Sequence, residues 1–285
     1  MYQDKNGNKY YKVAFHLHSN ISDGKLSPEE IAESFKNDGY DAITLTDHWH
    51  YGASREIGGL HVISGIEYDN GLNCGTIHIV GFGMKNDPCI KKGESAQTMI
   101  NKISSEGGCA VLAHPAWSLN DISDAQELKG FAATEIYNSV SEHGTSLRAY
   151  SDYYVDMCAV KGVYLGIFAV DDAHYYGGID DRKGWVMVKA DELSDEAIVS
   201  AIKKGDYFAS QGPTLSVTRD GDKITVETSP CDKIAIHSNC AWLPNRVAEG
   251  KGVTRHEYVF RNEEKWLRVE VRDGDKRAWS NIIVK

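Results

Sequence analysis

The sequence predicts an α/β body followed by a small all-β domain, on three observations. Short apolar runs alternate with amphipathic segments through residues 1–205. Three helices in that stretch carry recognisable start and stop signals. Beyond Gly205 the period changes to short strands around Asp-Gly turns, so 206–285 reads as a separate antiparallel, sandwich-like domain.

The expected strands of the body cover 12–18, 41–47, 60–66, 76–82, 109–114, 131–137 and 163–170. Ser27-Pro28-Glu29-Glu30 supplies an N-cap, a proline in the first turn and a capping-box glutamate, with Ile31 and Phe35 one turn apart behind it and Gly39 as the stop. Further helices are expected over 94–106, ended by Gly107-Gly108, over 194–204, ended by Gly205, and over 146–161. In the tail, Asp220-Gly221-Asp222 and Asp273-Gly274 each join two strands.

Composition narrows the function. With 41 acidic against 31 basic residues the net charge is -10, which argues against a grip on duplex nucleic acid or an anionic membrane. No apolar run reaches the roughly 18 residues of a spanning helix, and the first residues show no signal-peptide pattern, so a cytoplasmic location is the expectation. The six cysteines form no CxxC clip and are expected to be free thiols, mostly in the core. Gly81-Phe82-Gly83 lacks the third glycine of a dinucleotide fingerprint and reads as a turn.

The chemistry concentrates in histidines and carboxylates. In Phe15-His16-Leu17-His18, strand alternation puts both imidazoles on one face at a strand end, with Phe15 and Leu17 packing outward under helices. Asp172 and His174 repeat the spacing after another strand. Between them, Asp47-His48, Glu67, His78 and His114 fall at or near strand ends, where catalytic groups of β/α barrels converge. Six of the 11 histidines sit this way, and as ordinary core residues they would leave many buried polar groups in need of partners.

His16-Leu17-His18 with Ser22-Asp23-Gly24, then Thr46-Asp47-His48, Gly65-Ile66-Glu67, His114-Pro115 and Asp172-Ala173-His174, resemble in order the motifs of the polymerase and histidinol phosphatase (PHP) superfamily. The likeness covers roughly residues 10–205. The tail beginning at Gly205-Asp206-Tyr207-Phe208 resembles, more loosely, the branch that includes carbaryl-hydrolase-like proteins.

The resemblance implies a distorted seven-stranded (β/α) barrel with two or three divalent ions at its strand ends. His16, His18, Glu67 and Asp172 would bind the first ion, and Glu67 would bridge to a second held also by His78 and His114. Asp23, His48 and His174 would bind a third, Asp23 standing where some family members have histidine. Nitrogen and carboxylate ligands without thiolate suit zinc, manganese or iron. Two ions bridged by Glu67 would share a hydroxide aimed at phosphorus, so Glu67 and Asp172 are the expected catalytic residues, with Asp47 orienting a ligand or a water.

Asn138 is an expected phosphoryl or sugar contact, and Arg148, Arg182 and Lys183 are expected to clamp phosphate. The expected activity is phosphoester hydrolysis of small phosphomonoesters or nucleotides. The expected partner is a small phosphorylated substrate, without duplex nucleic acid or membrane, and self-association is allowed. Hydrolysis of a carbamate, amide or carboxylic ester at the same site, or a metal-bearing binding module without catalysis, are the rival readings.

Overall fold

The fold is that of a computed structural model, which describes residues 1–4, 7–70, 75–143 and 146–285. The chain opens with β1 (Tyr2–Gln3), β2 (Lys9–Ala14), α1 (Pro28–Asn37), β3 (Ala42–Thr44), β4 (Arg55–Ile57) and β5 (Leu60–Ile63). It continues through β6 (Gly65–Asp69), β7 (His78–Phe82), α2 (Ala96–Ser105), β8 (Cys109–Leu112), α3 (Pro115–Ser118) and α4 (Ile122–Glu127). The body ends with β9 (Phe131–Asn138), α5 (Asp152–Val160), β10 (Gly166–Val170), β11 (Trp185–Lys189) and α6 (Asp195–Lys204). The tail holds β12 (Tyr207–Ser210), β13 (Leu215–Asp220), β14 (Lys223–Ser238), β15 (Val247–Val259), β16 (Trp266–Asp273), β17 (Lys276–Ser280) and β18 (Ile283–Val284).

The caps behave as their chemistry dictates. Ser27 accepts from the Glu30 amide while Glu30 reaches back to the Ser27 amide, and Pro28 opens α1. Ser95 and Ser194 cap α2 and α6, and Gly205 ends α6 at φ 76, a left-handed conformation that costs a glycine no Cβ clash. The helix expected over 146–161 shortens to α5. Residues 149–151 fold back on β9 instead, through the Asn138 amide on the Ala149 carbonyl and the Ser151 amide on the Ile136 carbonyl.

The α/β body is present, but the distorted seven-stranded barrel is not closed by continuous ladders. Among the described residues the body is two open sheets, β11-β2-β3-β5-β4 and β10-β9-β8-β7-β6, touching at their seams through single bridges such as Leu17 to Ala173 and His48 to Glu67. The break comes at Ser64, where the one strand expected over 60–66 divides into β5 and β6 and the chain passes from one sheet to the other. A shared core still fills the space between them: Val13, Phe15, Val80, Phe82, Phe168 and Val186 from both sheets, closed at one end by Ile198 and Ile202 of α6.

The tail is less separate than the composition suggests. Strand β12 pairs with β11 on one side and β17 on the other, so one sheet of 13 strands runs from body to tail. It keeps a core of its own around Ile224, Ile234, Leu267 and Val271. Both expected turns form, with Asp220 opposite Lys223 and Asp273 opposite Lys276. No described helix is long and apolar enough to cross a membrane. Cys109, Cys158 and Cys231 are buried free thiols, Cys240 is half-buried and Cys89 is exposed; Cys74 lies outside the described residues.

Candidate metal centre

Strand ends deliver the histidines, though not by alternation alone. The β2 ladder stops at Ala14, so Phe15 does not turn outward. Its ring packs 4.5 Å from Phe82 and 4.9 Å from Phe168, forming an apolar floor, while Leu17 packs under α1. His16 and His18 stand together, fully buried, with ring centroids 5.2 Å apart. His78 is placed by hairpin register: β6 and β7 pair Asp69 with His78, which puts the imidazole on the face carrying Glu67.

Glu67 is the hub. One carboxylate oxygen, Oε2, lies 3.0 Å from His16 Nε2, 3.0 Å from His18 Nε2 and 3.6 Å from His48 Nε2. The other, Oε1, lies 2.9 Å from His78 Nδ1 and 3.6 Å from His114 Nε2. Asp172 Oδ1 comes within 3.2 Å of His16 Nε2 and 3.1 Å of His18 Nε2. Asp23 Oδ2 sits 3.4 Å from His174 Nε2 and 3.9 Å from His48 Nε2.

Ligand atoms thus gather in three groups, each spanning no more than 4.8 Å: His16, His18, Glu67 and Asp172; Glu67, His78 and His114; His18, Asp23, His48 and His174. Buried and close as they are, His18 Nε2, His78 Nε2 and Asp172 Oδ1 make no hydrogen bond. Polar atoms that converge without bonding one another are the arrangement a cation between them would satisfy, so the donor set fits divalent metal.

The rings are also held in orientation. Asp172 O lies 2.7 Å from His174 Nδ1 and Ser118 Oγ 3.0 Å from His114 Nδ1, leaving their Nε2 atoms inward; Asp69 Oδ2 comes within 3.2 Å of His48 Nδ1 without a hydrogen bond. Asp69 and Glu135 escaped the sequence reading as site residues. The available signals were that Asp69 shares the Glu67 face two residues on, and that Glu135 is an acid in an apolar strand. His114, Asp172 and Trp49 all have positive φ (28°, 52° and 60°), strain stored where the site is built. Trp117 closes one wall, its ring edge-on to His114 at 4.9 Å.

Other expected site residues back the groups without joining them, or stand apart. Asp47 faces none of the groups: it accepts from Ser19 N and Oγ and from Ser22 Oγ, fastening the turn that presents Asp23. Asn138 is buried, with its amide engaged by Glu135, Asp172 and Ser141, which leaves it no free face for a phosphoryl group. Arg182, paired to Asp181, and Lys183, 3.0 Å from His143 Nε2, line a separate groove with Tyr150 and Trp185. Arg148 is exposed.

Charge binds the cluster. At His16, burial disfavours the imidazolium, but Asp172, Glu67 and Glu135 outweigh it and hold the ring well above its ordinary value; at His18, Asp172, Asp23 and Glu67 do the same. Glu67 is held well below its usual range against burial, chiefly by His16. Without metal, the raised histidines stabilise the fold below about pH 6.5, and that contribution disappears as pH rises through their raised values. Metal binding needs those protons gone, so its dependence is opposite. Melting curves at pH 6 and pH 9 are expected to show chelated protein losing stability with rising pH while the zinc-induced gain in melting temperature grows.

No family model and no curated protein matches the chain. Its structure is similar to a two-domain Bacteroides vulgatus protein containing a predicted PHP-like metal-dependent phosphoesterase, at 18% identity and TM-score 0.57, over 100% of this chain and 97% of that one. A lesion-specific endonuclease of Pyrococcus furiosus, PfuEndoQ, matches at 15% identity and TM-score 0.48, over 68% of this chain and 56% of that one. Endonuclease Q in complex with a 27-mer duplex carrying an abasic lesion matches at 15% and 0.49, over 68% and 57%.

The exclusion of duplex nucleic acid, drawn from net charge, does not hold. Net charge sums the whole surface, whereas phosphate is held locally, so a chain at -10 is not barred from a duplex. None of these three is a carbaryl-hydrolase-like protein, and that narrower placement has no support from them. The chain shares the fold of the two-domain Bacteroides vulgatus protein across both its parts.

Proposed function

We propose that the protein is a metal-dependent phosphoesterase, with Glu67 shared between two ions. The observation that carries this is the single buried carboxylate whose two oxygens face separate sets of imidazoles, His16, His18 and His48 on one side and His78 and His114 on the other. His16, His18 and Asp172 would complete the first position, His78 and His114 the second. When bound, divalent zinc, manganese or iron would polarise phosphoryl oxygens and lower the pKa of a water between them. The chain's own work is to hold the ligands in place, to keep the Nε2 atoms of His16, His114 and His174 and the Nδ1 atom of His78 pointed inward, and to wall one side with Trp117.

Purified protein loaded with manganese or zinc is expected to hydrolyse p-nitrophenyl phosphate or its bis ester, to lose the activity to a chelator and to regain it on metal addition. Turnover confined to an aryl carboxylic ester or carbamate would overturn the reading. The third position rests on Asp23, whose side chain is 53% exposed, so solvent screens it more than the buried pair. Asp23→Asn is expected to lower metal content by about one equivalent, leaving the two ions around Glu67. Elemental analysis after dialysis checks this.

A further inference from the structure

We infer that Glu135 is a positioning residue that sets three of the proposed metal ligands at once; the inference rests on the metal-site reading above. Glu135 joins none of the three ligand groups, yet it is 1% exposed and both of its oxygens are committed to them. Its Oε1 lies 2.7 Å from His16 Nδ1. The other oxygen, Oε2, accepts from the His114 backbone amide at 2.8 Å and from Asn138 Nδ2 at 2.8 Å. Asn138 Nδ2 in turn donates to Asp172 Oδ2 at 3.1 Å.

Each contact answers a need of the site. A carboxylate on His16 Nδ1 fixes the proton there and leaves Nε2 bare, facing Glu67 and Asp172. The His114 amide belongs to a residue at φ 28, a conformation that holds only when its surroundings enforce it, and Oε2 is one enforcer. Through Asn138 the same oxygen steers the Asp172 oxygen not facing His16 and His18, on a residue that is itself strained at φ 52. Asn138 therefore serves as the arm between Glu135 and Asp172. Among the described residues no lysine or arginine pairs with Glu135; its facing partners are His16, the His114 amide and Asn138.

Glu135→Gln keeps shape and volume but cannot serve both arms, because one end of the carboxamide donates and cannot accept. Asn138→Ser removes the arm to Asp172 and leaves Glu135 on His16. Full-length wild type and both variants would be titrated with zinc against a competing chelator, and long-range proton–nitrogen correlations of the zinc-loaded imidazoles would locate the His16 proton. Expected are an affinity loss of about 10- to 100-fold in Glu135→Gln with a displaced His16 Nδ1 signal, and a smaller loss in Asn138→Ser with that signal unmoved. Wild-type affinity in both variants overturns the inference. If Glu135→Gln does not fold, Asn138→Ser decides, unchanged affinity counting against. Wild type that takes up no zinc would instead sink the metal-site reading itself.

Discussion

Glu67→Gln is expected to lower turnover of a phosphate ester by about a thousandfold or more and to remove tight uptake of two ions rather than one. The magnitude follows from several kcal/mol of transition-state stabilisation that bound metal supplies. The pairing of losses follows from geometry: Oε2 faces His16, His18 and His48, while Oε1 faces His78 and His114, so one substitution damages both positions. A glutamine can place one neutral oxygen toward one set and turns an amide toward the other. The metal-free variant changes too. Glu67 is a source of the charge that holds His16 and His78 protonated, so the destabilisation of chelated protein between pH 6 and pH 9 should flatten. Kinetics with saturating manganese, metal content after dialysis and circular dichroism together separate lost chemistry from lost fold.

Arg268→Ala is expected to destabilise the protein by about 3–5 kcal/mol while leaving metal content per folded molecule unchanged. The guanidinium is 1% exposed and clamps Asp156 of α5 with two bonds, Nε to Oδ1 at 2.6 Å and Nη2 to Oδ2 at 2.9 Å. Its Nη1 lies 3.2 Å from Glu270 Oε2. Removing it leaves a half-buried Asp156 without its cation and takes one of the cations from buried Glu270, whose other oxygen keeps Arg272 at 2.6 Å and Arg277 at 3.7 Å. The network fastens body to tail, since α5 belongs to one and β16 to the other. Denaturant midpoints with an unchanged slope would measure the loss. A change under about 1 kcal/mol would mean the pair is replaceable by water.

What could be read from the residues follows physical lines. Caps were legible because their chemistry is local: Ser27 with Glu30, Ser194 and Gly205 declare themselves in a few neighbouring positions. The ligand types at strand ends were legible because imidazoles and carboxylates beside apolar strands need partners. Placing His78 required the β6–β7 register, which spans a long connection and leaves no local mark. The same holds for β11 and β12, whose pairing joins the tail to the body. It holds too for the break at Ser64, one polar residue in an otherwise continuous strand pattern. The partners of Asn138 left no mark in the sequence, because Glu135, Asp172 and Ser141, which engage its amide, are neighbours in space.

Anomalous diffraction at the zinc or manganese edge from crystals of metal-loaded protein addresses the central claim most directly. Two peaks sharing the Glu67 carboxylate, the first beside His16, His18 and Asp172 and the second beside His78 and His114, are the result expected. Peaks elsewhere on the surface, or ordered water alone between these side chains in protein saturated with cation, would contradict it.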